Sequence, residues 1–303
     1  MKWFSSLAGS TRGILAMVVA TAVFCCGDAL MKLAATQLPT TQTMFIRSLT
    51  AACLVATFAY LTGAGGQIRR AFTGAMGLRA GGDVTASLLF QAALGRMHFA
   101  DIMAVLQVAP LTMTAGSALF LGEKVGLRRW SAVAVGLLGA LLIVKPGTSA
   151  FNWWSVCAIL SVICAAVRDI STRRIDPQLP TPLILAFSAA AVTLASLAGC
   201  LFETWHTPRA LEVCMLMGAG VLSMIGQLCV ITAVRSAEIS VVAPFRYAGI
   251  IWALLLSFAI WGHIPDLPAM IGIFAVTFAG IYTFHRERVL QRQANRRVEE
   301  IAR

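Results

Sequence analysis

The chain has 303 residues, 58% hydrophobic and only 12% charged, with a mean hydropathy of +0.81. A soluble domain carries about twice that charge, so the composition excludes an ordinary water-soluble globule and points to a polytopic membrane protein. The net charge of +11 is no sign of nucleic-acid binding, because the basic residues lie in short segments between apolar runs and at the C-terminus, where the positive-inside rule puts them.

Ten apolar runs follow in order, at 13–33, 41–62, 80–95, 101–121, 131–146, 153–172, 182–202, 211–233, 239–261 and 267–284. A spanning helix needs roughly 17–25 residues; the third and fifth runs are short, and Arg79 and Arg129 extend them by snorkelling. With the N-terminus inside, eighteen Lys and Arg fall on inner segments and four on outer ones. This predicts an all-α integral membrane protein of ten transmembrane helices with both termini cytoplasmic. The eight cysteines all sit in apolar runs without metal-ligand spacing, so they read as small packing residues. The first run is too long for a cleaved leader, carries Asp28 and Lys32, and is followed by many like it.

The chain repeats itself. Gln37-Leu38-Pro39-Thr40 recurs as Gln178-Leu179-Pro180-Thr181, and Asp28 and Lys32 align with Asp169 and Arg173 at the same offset of 141. Further on, Ala93 to Glu123 and Ala233 to His263 are each 30 residues apart, with Gly122 matching Gly262. The first and sixth helices are therefore equivalents. Each unit has five spans, and because five is odd the second unit enters the bilayer from the opposite side. The expected division is a cytoplasmic N-terminus at 1–12, a first five-helix repeat at 13–147, an inverted second repeat at 153–284, and a basic cytoplasmic tail at 285–303. In this architecture the substrate site lies near the midplane between the halves.

Charged residues within a bilayer are candidate functional residues by default. At about 1.5 Å per helical residue, Asp28 lies roughly 7–8 Å, and Arg47 roughly 9 Å, below the outer ends of their helices. Gln91 and Gln107 fall at similar outer depths. Asp169, Gln227, Arg246 and Tyr247 lie toward the inner face. The expectation is one path with a polar set at each end, Asp28 pairing with Arg47 outside and Asp169 with Arg246 inside as alternating gates. The plain alternative is that Asp28 and Lys32, four apart on one helix, neutralise each other and that Arg47 clasps two helices.

Several short motifs in order carry a family resemblance: Gly27-Asp28-Ala29 with Lys32, Pro39 with Gln42 and Arg47, Ala109-Pro110-Leu111, Leu121-Gly122-Glu123-Lys124, and Lys145-Pro146-Gly147. Over about 13–284 the chain resembles the drug/metabolite transporter superfamily, in its ten-helix EamA-type branch. It departs where the second half reads Gly262-His263 and where Arg168-Asp169 stand in helix six. The resemblance implies a secondary carrier in a bacterial inner membrane that moves a small organic metabolite and is no enzyme. It adds Lys32 and Gln42 to the candidate path residues. The acidic-then-Lys pair in helix one, the Pro-x-x-Gln-x-x-x-x-Arg of helix two and Arg168-Asp169-x-x-Thr-Arg-Arg after helix six look similar to carriers of riboflavin and of S-adenosylmethionine. Riboflavin uptake is the first expectation, with aromatic amino-acid export or S-adenosylmethionine carriage as alternatives. The expected partners are the bilayer and a small-molecule substrate, with no cofactor and no nucleic acid, in a monomer or homodimer. No Walker A sequence is present, so ATP hydrolysis by this chain is not expected. A membrane-embedded enzyme would need an intramembrane nucleophile or metal cluster, which the sequence does not offer.

Overall fold

In the computed structural model the described residues are 9–63, 70–109, 111–112, 115–116, 127–144, 152–172, 174–176, 178–236 and 243–301. Pro110, Leu121 to Lys124, Lys145-Pro146-Gly147 and Arg173 of the motifs above lie outside them. Among the described residues there are ten α-helices and no strand. They are α1 Gly9–Ala34, α2 Thr40–Leu61, α3 Gly74–Leu94, α4 Phe99–Leu106, α5 Leu127–Val144, α6 Trp153–Thr172, α7 Thr181–Gly199, α8 Ala210–Ser236, α9 Ala248–Trp261 and α10 Leu267–Ile301, with a 3-10 turn Ala243–Tyr247 ahead of α9. Five stretches are long and apolar enough to cross a bilayer: Thr11–Ala34, Thr40–Leu61, Trp153–Thr172, Thr181–Gly199 and Ala210–Val230.

The two Leu-Pro-Thr copies have the same local structure. Pro39 (φ −57°, ψ 152°) and Pro180 (φ −59°, ψ 130°) are extended, and the following threonine opens α2 and α7. A proline preset near φ −65° leads the chain into a helix without losing a helical donor.

Three boundaries differ from the sequence reading. Helix α3 begins at Gly74, capped by the Thr73 hydroxyl accepting from the Met76 amide. Arg79 is therefore inside the helix and buried, not a snorkelling end. Helix α4 gives way to a turn at Gln107–Val108, just ahead of a proline that has no N–H to continue the ladder. Helix α10 runs unbroken to Ile301, so the tail continues the last helix. Beyond Gly280 it holds no Gly or Pro and is rich in Arg, Glu and Gln, which favour helix.

The helices pack as α1 on α8, α3 on α6, α2 on α7, α5 on α10 and α4 on α9. Buried positions are filled by Met31, Leu94, Phe99, Ile102, Leu216 and Val276, while Leu137, Leu138, Phe274 and Phe278 face outward. A lipid solvent leaves no hydrophobic drive between helices, so close approach through small residues does the joining. At the α5–α10 crossing a Cβ on Gly139 would lie 2.8 Å from the Gly272 carbonyl oxygen, and one on Gly272 would overlap the Gly139 carbonyl.

Gly280 has a different neighbour. A Cβ there would overlap the phenol of Tyr247, which is 4% exposed. Gly280→Ala therefore forces the Tyr247 ring out of its slot. It is expected to destabilise by about 1–3 kcal/mol, the usual cost of overpacking, read as a lower melting temperature in detergent.

Candidate functional site

Two adjoining cavities of about 440 and 350 Å³ occupy the middle of the bundle. Both are lined by Phe24 of α1, Arg47 of α2, Arg168 of α6, Val230 of α8 and Arg246 of the 3-10 turn. The first extends past Arg79, Asp83, Asp169, Ser188, Ser223 and Gln227, toward the predicted inner end. The second extends past Asp28, Ser87, Phe90, Gln107 and Ser161. Helices from both halves of the sequence thus build one polar chamber. Another cavity, of about 490 Å³ between α4, α5 and α6, is lined by Val105, Val108, Leu141 and Val162. Among the described residues it offers a polar solute little beyond the Thr112 hydroxyl.

Six of the ten candidate residues border the central chamber: Asp28, Arg47, Gln107, Asp169, Gln227 and Arg246. Arg47 Nη2 donates to Ser223 Oγ at 2.9 Å, tying α2 to α8. Gln107 Nε2 donates to the Arg246 carbonyl at 3.4 Å. Asp28 and Arg47 line the same cavity, yet among the described residues no ion pair shorter than 4 Å joins them. The expected Asp169–Arg246 pair is replaced by another. Arg168 Nε donates to Asp169 at 2.8 Å, and Arg168 Nη1 donates to Asp83 of α3 at 3.0 Å. Arg79 Nη1 donates to Thr172 Oγ1 beside them. The guanidinium of Arg168 lies next to Asp169 in the chain and reaches both carboxylates in one fork, which leaves Arg246 free of Asp169.

The other four candidates lie elsewhere. Lys32 Nζ donates to the carbonyls of Leu94, at 2.7 Å, and Met97, where a cation suits the unsatisfied end of α3. It also sits 5.8 Å over the Trp261 ring. It neither faces the chamber nor neutralises Asp28. Gln42 is buried and bonds both ways with the 199–210 connection, Nε2 donating to the His206 carbonyl at 2.6 Å and Oε1 accepting from the His206 amide at 3.2 Å. Gln91 is buried and donates to Thr43 Oγ1 at 3.3 Å. Tyr247 turns away from the chamber onto Gly280 of α10. Polar side chains in spans serve as interhelical ties as readily as they serve solutes, and spacing alone does not separate the two uses.

A second clamp closes the same end. Glu203 Oε2 accepts from the Thr41 amide at 3.0 Å and from its hydroxyl at 2.6 Å. With Lys32 and Gln42 it holds the connections of the predicted outer end together. Lys32→Met is expected to cost about 2 kcal/mol through two lost charge-assisted hydrogen bonds. Denaturation in detergent should show this loss.

The residues that were not among the sequence candidates are Arg168, Asp83, Arg79, Ser223 and Glu203. Asp83 carried a usable signal: it is a carboxylate inside an apolar run, four residues after Arg79, and such a residue is a site candidate by default. Ser223 carried none, since its role comes from the α2–α8 crossing.

The sequence profile described as EamA-like transporter family matches residues 11–145 and again 152–284. The chain is 27% identical over 271 residues to the pseudopaline exporter CntI of Pseudomonas aeruginosa, covering 89% of this chain and 94% of that protein. It is 29% identical over 181 residues to a riboflavin transporter of Vibrio cholerae, covering 58% and 60%. It is 24% identical over 179 residues to an S-adenosylmethionine uptake transporter of Rickettsia felis, covering 59% and 60%. A crystal structure at 17% identity superposes with a TM-score of 0.66 over 90% of this chain and 97% of its own, a likeness of fold. With two matches that together span most of its length, the chain belongs to the EamA-like transporter family.

Proposed function

We propose that this protein is a secondary carrier of a small organic metabolite in a bacterial inner membrane, working by alternating access through the central chamber. The observation that carries the reading is the chamber itself: charged side chains from helices of both sequence halves meet around one cavity in a chain of a transporter family. Inverted five-helix repeats, with both termini cytoplasmic, are the arrangement we favour. The pairing of helices supports it, because exchanging the halves turns α1 on α8 into α6 on α3 and leaves α2 on α7, α4 on α9 and α5 on α10 unchanged. Arg168 with Asp83 and Asp169 then forms the inner latch, holding α3 against α6. The ties of Glu203, Gln42 and Lys32 hold the outer end, and opening either side requires breaking its set.

The chamber favours some solutes over others. It is bordered by Arg47, Arg79, Arg168 and Arg246 against Asp28, Asp83 and Asp169, leaving one excess cation. That balance disfavours a cationic substrate such as S-adenosylmethionine and suits one rich in acceptor oxygens. Phe24 and Phe90 offer faces for a planar ring. Riboflavin, with an imide, a polyol and a flat ring system, is the first candidate. Export of an acceptor-rich metabolite is the second reading, favoured by the similarity over most of both chains to a protein named as an exporter. Reconstituted protein assayed against flavins, aromatic amino acids and S-adenosylmethionine, with substrate loaded on either side, tests both. Riboflavin that neither crosses nor competes rules out the first; transport of no panel member from either side counts against a carrier of this class.

A further inference from the structure

We propose that His98, Asp101 and His263 form a binding site for a divalent transition-metal ion such as Zn²⁺, at the end of the bundle where α4 begins and α9 stops. The site is separate from the chamber and independent of what the chamber carries. Two helix ends build it. His98 is the residue before α4 and Asp101 lies in its first turn, so the i, i+3 spacing puts both on one side. His263 follows the left-handed Gly262 (φ +63°) that ends α9. The Gly262 amide donates to the Phe258 carbonyl and the His263 amide to the Ser257 carbonyl, an αL helix cap that aims the imidazole back at α4.

The donor atoms converge. His98 Nδ1 is 3.5 Å from Asp101 Oδ2, and His263 Nε2 is 3.9 Å from the same oxygen. All three ligand atoms lie within 4.8 Å of one another. A tetrahedral zinc with ligands at roughly 2.0–2.2 Å holds them roughly 3.3 Å apart, so His98 and Asp101 are almost in place and His263 has to move in toward both. The two imidazoles stack, with centroids 3.7 Å apart and planes 8° from parallel; because an ion lies in the plane of the ring that ligates it, the rings must turn out of this stack for both lone pairs to meet at one metal. His263 Nε2 is buried and makes no hydrogen bond. Two cations stacked at that distance would repel. The cluster borders a cavity of about 310 Å³ also lined by Asn152, Ser155 and Asp266, and the His98 side chain is 65% exposed, giving the ion a way in and room for a water as fourth ligand. Two nitrogens and one oxygen select zinc, nickel or copper over magnesium. Because α4 and α9 come from different sequence halves, the ion cross-links them.

The test is calorimetric titration of tag-free protein in detergent with zinc sulfate. One zinc per chain is expected, weakened roughly tenfold or more in both His98→Ala and His263→Ala, with magnesium giving no binding. Zinc should also raise the melting temperature of the wild type and not of the variants. If His263→Ala does not fold, His263→Gln keeps the polarity and removes the ligand nitrogen. Absence of binding overturns the proposal; so does zinc retained at full affinity in both histidine variants, which would put it on the cysteines, and so does equal binding of magnesium.

Discussion

Arg168→Met is expected to unfold the protein more readily than any other single substitution in the chamber and to abolish transport. Arg168 is bonded to Asp83 at 3.0 Å and to Asp169 at 2.8 Å, with side-chain exposures of 30%, 18% and 32% for the three residues. Removing one partner of a buried ion pair typically costs roughly 3–5 kcal/mol, because a charge is left without its counterpart. Here two carboxylates are stranded. The loss should nevertheless fall near 3 kcal/mol, since the chamber admits water and Arg79 remains beside both acids. Arg168→Lys should recover only part of it, because a compact ammonium does not reproduce the fork through Nε and Nη1. Combining Arg168→Met with Asp83→Asn and Asp169→Asn should restore most of the melting temperature, since no uncompensated charge remains, while uptake stays lost for want of a latch. Thermal unfolding of the purified variants followed by circular dichroism, beside uptake in liposomes, measures both. A wild-type melting temperature in Arg168→Met would show that the trio does not hold α3 to α6.

Much of the architecture could be read from the sequence, for physical reasons. The apolar runs located the helices because a bilayer penalises every unsatisfied backbone group and leaves helix as the local answer. The Leu-Pro-Thr copies marked equivalent helix starts because a proline before the first turn presets the backbone wherever it occurs. What the sequence did not contain is which polar residue faces which. Asp169 and Arg246 lie on different elements at similar expected depth, yet Asp169 meets its own neighbour Arg168. Asp28 and Lys32 share a helix at the favourable spacing, yet Lys32 reaches across to the end of α3. In each case the choice is made by a helix crossing, which brings a carboxylate or a row of free carbonyls closer than the local partner. Depth along a helix follows from counting; rotation about its axis depends on neighbours the count does not include.

The Asp28–Arg47 relationship is where that difference can be measured. Both side chains border the chamber, Arg47 at the junction of its two parts. Arg47 spends one donor on Ser223 and keeps others directed at the cavity, while Asp28 faces it with no ion pair among the described residues. If the two groups serve the solute, neutralising either removes an interaction of about 1.5–3 kcal/mol with a charged partner, which is roughly a 10- to 100-fold loss in uptake efficiency. Asp28→Asn is expected to show that loss at an unchanged melting temperature, since it breaks no short ion pair; Arg47→Gln is expected to show it together with a lower melting temperature, since it also removes the bond to Ser223. The double variant separates two mechanisms. Residues acting on one transport step as a unit give a double variant little worse than either single, whereas independent contacts multiply their losses. The first outcome is expected, because Asp28 and Arg47 carry opposite charges on the same cavity, so that removing one partner already undoes the work of the other. Full uptake by Asp28→Asn would instead make Asp28 a residue of assembly and leave Arg47 to meet the solute alone.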